Sequence, residues 1–493
     1  MKQKKGESNM SCRKLCVAVV VGSVLSGVGA FAAEPAVPAA GGASGVTGAY
    51  TPGKGYTIKF SENQRLTIGG DEQLRLEYYD RSALCIEGYP ENGPAMEYVR
   101  ARERLWMRLD LADNLFAYMR LVHRWQYYSS RPAPGSNNNN AYGTAEYAAW
   151  AWPDEVIFDN LFIDYSKIGG TGWSVRLGRQ ELVDYATGAP LFGNAMVLLE
   201  GTPADTGRTI YFDGAVVRWD GEKDHVKFFG FYDTYRDQTV VINDRERTLN
   251  MGNTGVVGAD ATHQFSKALN LEAYYMYVDI DDAVGTPGHF SIAGGRVFGA
   301  PEQLNEQVDY SLEYAQQFGE FMDTDISGMM VDARLGFTGP KDTPLDPKLS
   351  FECTYFSGDK PSTTDYEGWL PVFDAYPIWR EELLPQSYRG AWSNMYQYRA
   401  ELKLRKLPVK GLTCAAAYAW LQADQPDCSN PGNGGQGGFG SGRDIGQLVS
   451  AFVDYRVTPW LMFSFQSAAF FPGNHYEDGH NSKWLRFETT FTF

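Results

Sequence analysis

No interior stretch of this 493-residue chain reaches the roughly 18 consecutive apolar residues that a membrane-spanning helix requires. Its mean hydropathy is negative. A helical membrane protein is excluded on that ground. Cysteine is scarce, with six residues, and histidine equally so. No CxxC pair, no Cys/His zinc spacing, no HExxH and no triad spacing occurs. Asp279, Asp281 and Asp282 cluster without the loop pattern of an EF-hand. The Gly-x-Gly-x-x-Gly of residues 432–437 lacks the βαβ surroundings that would let it cradle a phosphate. Positive charge is in deficit, with 44 Lys and Arg against 60 Asp and Glu and a formal net charge of −16, which argues against a nucleic-acid partner. No catalytic residue, metal site or cofactor is assigned, and the chain is not expected to be an enzyme.

What the chain does have is alternation, clearest from Tyr98 to Gln126. Tyr98, Arg100, Arg102, Arg104, Trp106, Arg108 and Asp110 share one parity. Val99, Ala101, Leu105, Met107, Leu109 and Leu111 share the other, with Glu103 the intruder. After Ala112-Asp113-Asn114 the pattern resumes: Ala117, Met119, Leu121 and Trp125 lie on one face, His123 being the exception. Tyr118, Arg120, Arg124 and Gln126 lie on the other, with Val122 among them. A period of two is a strand signal, and two such runs about a short Asp-Asn turn predict a hairpin. One face is apolar and the other carries up to six arginines. In a soluble sandwich those cations would repel one another to no purpose. In a membrane barrel the apolar face meets lipid and the arginines line a water-filled lumen.

The same reading extends to the whole chain. Lys2, Lys4, Lys5, Arg13 and Lys14 precede the apolar run Leu15 to Val28, and Ala30-Phe31-Ala32 is an A-x-A cleavage site. Residues 1–32 are therefore expected to be a secretory signal peptide, whose removal leaves a still more acidic chain. Residues 33–63 form a flexible lead-in rich in Ala, Gly and Pro. Residues 64–493 are expected to be the barrel: all-β, transmembrane and antiparallel, with about eighteen strands. The connections sort by parity, long after odd-numbered strands and mostly short after even-numbered ones, as extracellular loops and periplasmic turns do. The connection at 320–324 is short where a long one is expected. Aromatics at 14% and 53 glycines suit girdles and turns. Tyr78, Tyr118, Tyr232 and Tyr277 fit interface girdles, with stacking on sugar rings as the sharper alternative. Cys353 and Cys414 fall at lipid-facing parity, whereas Cys85 and Cys428 fall in external loops where a disulfide is possible. The last strand ends at Phe493, with Leu485, Phe487 and Phe491 on its face and Arg486, Glu488, Thr490 and Thr492 opposite.

Several short motifs occur in a telling order. They are the Arg-x-Arg run of 100–104, Leu177-Gly178-Arg179-Gln180, Gly207-Arg208-Thr209 followed by Phe212-Asp213-Gly214, Phe356-Ser357-Gly358-Asp359, Arg443-Asp444-Ile445-Gly446 and Phe471-Pro472-Gly473. This order resembles the alginate-export family of outer-membrane porins across about residues 64–493. In this chain Ile210 and Tyr211 stretch the spacing before Phe212-Asp213-Gly214, and Ala186 follows Tyr185 where the resemblance leads one to expect glycine. The resemblance implies an eighteen-stranded barrel in a Gram-negative outer membrane with an electropositive pore for a polyuronate.

The candidate pore residues are Arg75, Arg100, Arg102, Arg104, Arg108, Arg120 and Arg124, joined by Arg176, Arg179, Asp213, Arg334, Arg399, Lys403 and Arg405. Guanidinium stays charged and grips carboxylates in a bidentate fork, so a row of it suits a passing polyanion. The plainer reading is an ion-pair network that props the barrel, for which Glu77, Asp110, Asp164, Asp309, Glu313, Glu401, Asp444, Asp454 and Glu488 are available. For Arg179 and Asp213 a constriction competes with a loop-anchoring salt bridge. The leading expectation is a passive, anion-selective channel for an anionic polysaccharide or smaller anionic solute. A general or sugar-uptake porin and a loop-plugged adhesion or structural barrel are the alternatives. Expected partners are that solute, outer-membrane lipid and the barrel-assembly machinery.

Overall fold

In the computed structural model the described residues are 47–51, 54–80, 96–128, 150–151, 156–182, 197, 211–234, 240–242, 253–281, 287–304, 307–340, 343–360, 362–370, 393–426, 442–475 and 481–493. The expected leader, Cys85, Cys428 and the glycine run 432–437 lie outside them. Eighteen long strands form one closed antiparallel barrel. They are β1 (Arg65–Asp80), β2 (Met96–Ala112), β3 (Leu115–Tyr128), β4 (Val156–Tyr165), β5 (Trp173–Gln180), β6 (Phe212–Asp220), β7 (Asp224–Asp233), β8 (Thr254–Ser266) and β9 (Leu269–Ile280), followed by β10 (Gly288–Gly299), β11 (Val308–Phe321), β12 (Met329–Thr338), β13 (Leu345–Phe356), β14 (Met395–Lys406), β15 (Leu412–Ala423), β16 (Asp444–Thr458), β17 (Leu461–Pro472) and β18 (Ser482–Thr492).

Each strand pairs with its sequence neighbours, and β18 closes on β1 with Lys483 opposite Asp80 and Thr492 opposite Asp71. Phe493 and Gly70 exchange both backbone hydrogen bonds at 2.9 Å. Below that point β1 runs on, and the hairpin Thr47–Thr51/Gly55–Lys59 covers its edge, Tyr56 lying opposite Ile68 and Lys59 opposite Arg65. Closure follows from the solvent, since lipid offers no partner to a free strand edge.

Alternation decides which side chains meet lipid. On β9 the side chains of Leu269, Leu271, Tyr275 and Tyr277 are exposed, while Asn270, Glu272, Tyr274, Met276 and Val278 are buried inward. A one-residue slip would exchange the two sets, so the apolar outer face pins the register. Cys353 and Cys414 are free thiols, and both fall on the outward set. The two exceptions in the arginine hairpin are now explained. Glu103 lies opposite His123, their side chains pair outward at 2.9 Å, and the Trp125 indole N–H donates to Glu103 at 3.1 Å. Pairing offsets the cost of charge on a lipid-facing wall.

The short extracellular connection after β11 is a two-residue hairpin turn. Met322 and Asp323 both have positive φ, 52° and 58°, the backbone that matches the twist of the flanking strands. It leads into a short strand, Thr324–Ile326, before β12 begins.

The extracellular ends of β16 and β17 are clasped by His475. It is buried, its Nδ1 lies 3.0 Å from the Gly442 carbonyl oxygen, and its backbone N–H donates to the Asp444 carbonyl at 2.8 Å. Burial holds the imidazole below its ordinary value of 6.5, against a weaker upward pull from the Gly442 carbonyl. The unfolded chain therefore takes up this proton at higher pH than the folded one. The clasp contributes fully above about pH 6.5 and is lost as pH falls below it. Amide exchange at 442–446 and 473–475, corrected for intrinsic rates, is expected to quicken on acidification through that range. The pH dependence should vanish in His475→Asn.

Candidate functional site

The inward face carries charge on most strands, with arginine most concentrated from β18 through β6. From β18 through β6 it presents Arg486, Arg75, Arg100, Arg102, Arg104, Arg108, Arg120, Arg124, Arg176 and Arg218, because these positions share the inward parity of their strands. Carboxylates interleave with them. Arg75 bonds Glu488 at 2.7 Å, and Glu77 sits between Arg100 at 3.5 Å and Arg486 at 3.1 Å. Arg102 reaches Asp71 at 3.2 Å. Asp110 accepts from Arg108 at 2.9 Å and from Arg65 at 2.7 Å. Asp164 accepts from Arg176 at 2.9 Å and from Arg218 at 3.1 Å. Arg124 lies opposite Arg102 in the ladder and is half-buried.

Arg120 is a buried node held by two carboxylates. It donates to Asp159 at 2.8 Å and, through both terminal nitrogens, to Glu181 at 2.8 Å. Arg104 approaches the same Asp159 at 3.9 Å. Asp159 is available because of a bulge. Arg120 pairs with Asn160 but Leu121 with Phe158, so the extra residue brings both Asp159 and Asn160 to the buried side. Asn160 then accepts the Glu181 backbone N–H at 3.0 Å, which anchors the chain leaving β5.

Arg334, Arg399, Lys403 and Arg405 stand apart from that wall. Arg334 bonds Asp332 at 2.7 Å and Glu352 at 2.8 Å, and Arg399 bonds Glu401 at 2.6 Å. Arg405 bonds Asp346 at 2.8 Å, and exposed Lys403 lies opposite Lys348. Arg179 is buried and, with Asp213, breaks the alternation at its strand end. The register sets Arg179 opposite Leu161 and two residues from Leu177, both outward and exposed. Arg179 bonds Asp213 at 2.7 Å, donates to the Phe158 carbonyl at 3.1 Å and covers the Tyr211 ring at 4.0 Å. The pair ties the ends of β5 and β6 together.

Of the acids foreseen for the network, Glu77, Asp110, Asp164, Asp309, Glu401 and Glu488 pair with cations. Glu313 accepts the Tyr274 hydroxyl at 2.8 Å, Asp454 that of Ser464, and Asp444 the Trp420 indole N–H at 3.0 Å. Asp71, Asp159, Glu181, Asp332 and Glu352 were missed, as were Arg65, Arg218, Arg296 and Arg486 among the cations. Parity alone would have found Asp71, Arg218, Arg296 and Arg486. Asp159 depends on its bulge, and Glu181 lies beyond a strand end.

Toward the extracellular side the inward residues turn apolar. Phe229, Phe231, Met276, Phe290, Met330, Phe356, Leu421, Leu448, Phe470 and Trp484 form one buried cluster. Segments beyond the strands join it. Leu182 and Val197 do so between β5 and β6, and Tyr366, Trp369 and Leu370 between β13 and β14. Buried Gln317 on β11 holds Leu370 by both backbone groups, donating to its carbonyl at 2.7 Å and accepting its N–H at 2.8 Å. The Val197 N–H reaches Glu313 at 3.4 Å. Described segments of both connections therefore pack against the inner wall.

The motif glycines serve this architecture. Gly178 and Gly446 have φ of 124° and 137°, and a Cβ would overlap the carbonyl oxygens of Leu161 and Phe471. Ser357 donates to the Glu367 carbonyl at 2.7 Å and accepts the Met329 N–H at 2.8 Å, docking the folded-in segment.

A closed eighteen-strand barrel with a charged interior and folded-in loops defines a channel of the outer-membrane porin class. Within that class the chain belongs to the alginate-export family, whose model, described as "Alginate export", matches residues 64–486. Among solved structures it is similar to the outer membrane protein OpdK from Pseudomonas aeruginosa, at 12% identity and TM-score 0.52 over 86% of this chain and 99% of that one. It is similar to OccAB2 from Acinetobacter baumannii at 13% and 0.54, covering 86% and 98%. It is also similar to Pseudomonas aeruginosa OpdK with vanillate at 11% and 0.54, covering 86% and 98%. At such identities the likeness is one of fold. Comparison with curated proteins finds no match. Family and fold are those of channels, not of enzymes.

Removing Arg120 would leave Asp159 and Glu181 buried against each other. Arg120→Ala is expected to cost about 3–5 kcal/mol. The readout is a lower urea midpoint for the heat-modifiable folded band, and Arg405→Ala, at an exposed pair, should shift that midpoint little.

Proposed function

We propose that this barrel is a passive channel whose arginine-rich wall makes it anion-selective, carrying an anionic polysaccharide or another anionic solute across the outer membrane. The observation that carries the reading is the imbalance on the β18–β6 wall. Among the described residues there, inward arginines outnumber inward carboxylates, in a chain whose net charge is −16. Water in a narrow lumen screens less than bulk water, so a small excess of fixed charge raises the local potential by several kT. The interleaved acids hold each guanidinium in place and keep its grip weak enough for release. Arg108, with 28% of its side chain exposed, can receive a solute carboxylate beside its bond to Asp110.

A second reading, uptake of small anions rather than passage of a polymer, is favoured by the folded-in segments. Leu370 tied to Gln317, and Val197 against Glu313, narrow the route. The neighbours of similar fold include a porin crystallised with vanillate, a small carboxylate.

Reversal potentials in a salt gradient across a planar bilayer test the first reading. Wild type should prefer chloride over potassium, and Arg102→Glu with Arg104→Glu should weaken or reverse the preference while the outer face stays intact. A cation-selective wild type would make the arginines scaffold only. Single-channel conductance tests the second reading. Gln317→Ala removes both bonds to Leu370, about 1–3 kcal/mol of anchoring, and should raise conductance if the segment narrows the path.

A further inference from the structure

One aromatic interrupts the arginines of β2. Trp106 lies inward between Arg104 and Arg108, and it is partly exposed where Tyr118 and Phe162 are buried. It lies across Gly69, where a Cβ would overlap its ring, so the missing side chain makes room for an indole flat against the wall. Tyr118 continues the same surface, its ring centroid 6.3 Å away and its plane inclined by only 20°. Phe162 backs Tyr118 at 5.3 Å and 29°. The rings tile the wall rather than filling the lumen.

The charges beside this tile are unbalanced. Asp110 is shared by Arg65 and Arg108, so two guanidiniums divide one carboxylate. Arg65 is half exposed, and Arg108 is two residues from Trp106 on the same face. A side chain placed only for packing would not need a partly exposed indole next to two guanidiniums that share one carboxylate. A solute with a ring and a carboxylate would use both.

Building on the channel reading, we propose that Trp106 with Arg65 and Arg108 forms a subsite for ring-bearing carboxylates. The ring rests on the indole face and the carboxylate meets the shared guanidinium pair. Ring C–H groups of a pyranose and the edge of an aromatic ring both carry partial positive charge toward the π face, so the stacking chemistry is common to both. Guanidinium supplies the directional contact to the carboxylate. An acyclic carboxylate of equal charge keeps the second contact and loses the first.

The full-length protein in planar bilayers is titrated with glucuronate, benzoate and acyclic gluconate, and the half-blocking concentration of the chloride current is read for each. Trp106→Ala and Trp106→Leu should raise the value for the ring-bearing probes, relative to gluconate, by about fivefold. Trp106→Phe should retain most of the wild-type ratio. A response to glucuronate alone assigns the site to pyranose acids, and to benzoate alone to aromatic acids. A ratio unchanged in both Trp106→Ala and Trp106→Leu overturns the proposal. Saturation-transfer NMR on the detergent-solubilised protein reads binding without conduction. If wild type passes no current, the channel reading fails. The subsite then stands if transfer to the ring protons is lost in Trp106→Leu, and falls if it persists.

Discussion

A backbone amide in hydrocarbon has no partner except another strand, and this shapes everything else in the molecule. It requires that β18 return to β1, as it does from Lys483–Asp80 to Phe493–Gly70. It requires the hairpin at Thr47–Lys59 to cover what β18 leaves open on β1. With the ladder closed, side chains can point only to lipid or to lumen. The outer face is then held apolar by its surroundings, and almost every charge on the strands collects inside.

Collected charge must be balanced in a confined space. The chain does this by interleaving acids with arginines, most tightly where Arg120 is held by Asp159 and Glu181. Such a network both stiffens the wall and leaves a residual excess of guanidinium, so scaffold and selectivity are two consequences of one arrangement. Where the charge runs out, toward the extracellular side, an apolar lining would be left to water. The loops fold in and cover it, with Trp369 and Leu370 packed on the cluster and Gln317 fastening the strap. The folding of the loops thus follows from the change of inward residues from Glu272 to Met276 and Val278 along a single strand.

The exceptions to alternation obey the same rules. Glu103 and His123 face outward but find each other across the β2–β3 ladder. Arg179 and Asp213 share the outward parity at strand ends and neutralise one another there. A charge set against its parity is tolerated when its partner is one strand away.

The sequence by itself determined the barrel. Period-two alternation, strand lengths and the sorting of loop lengths specify eighteen strands, and the inward side of β2 is readable from Arg100, Arg102 and Arg104 alone, because parity is a local property of the pleat. What only the tertiary structure decided are the contacts that cross strands or leave the pattern. No spacing announces that a bulge turns Asp159 inward to Arg120, that Arg179 is buried over the Tyr211 ring, or that Leu370 returns to Gln317, 53 residues away. Nor does it show that Gly69 leaves the space in which Trp106 lies flat. Side-chain direction follows the backbone from residue to residue. Pairing partners depend on register, bulges and loop return, which are set by the sheet as a whole.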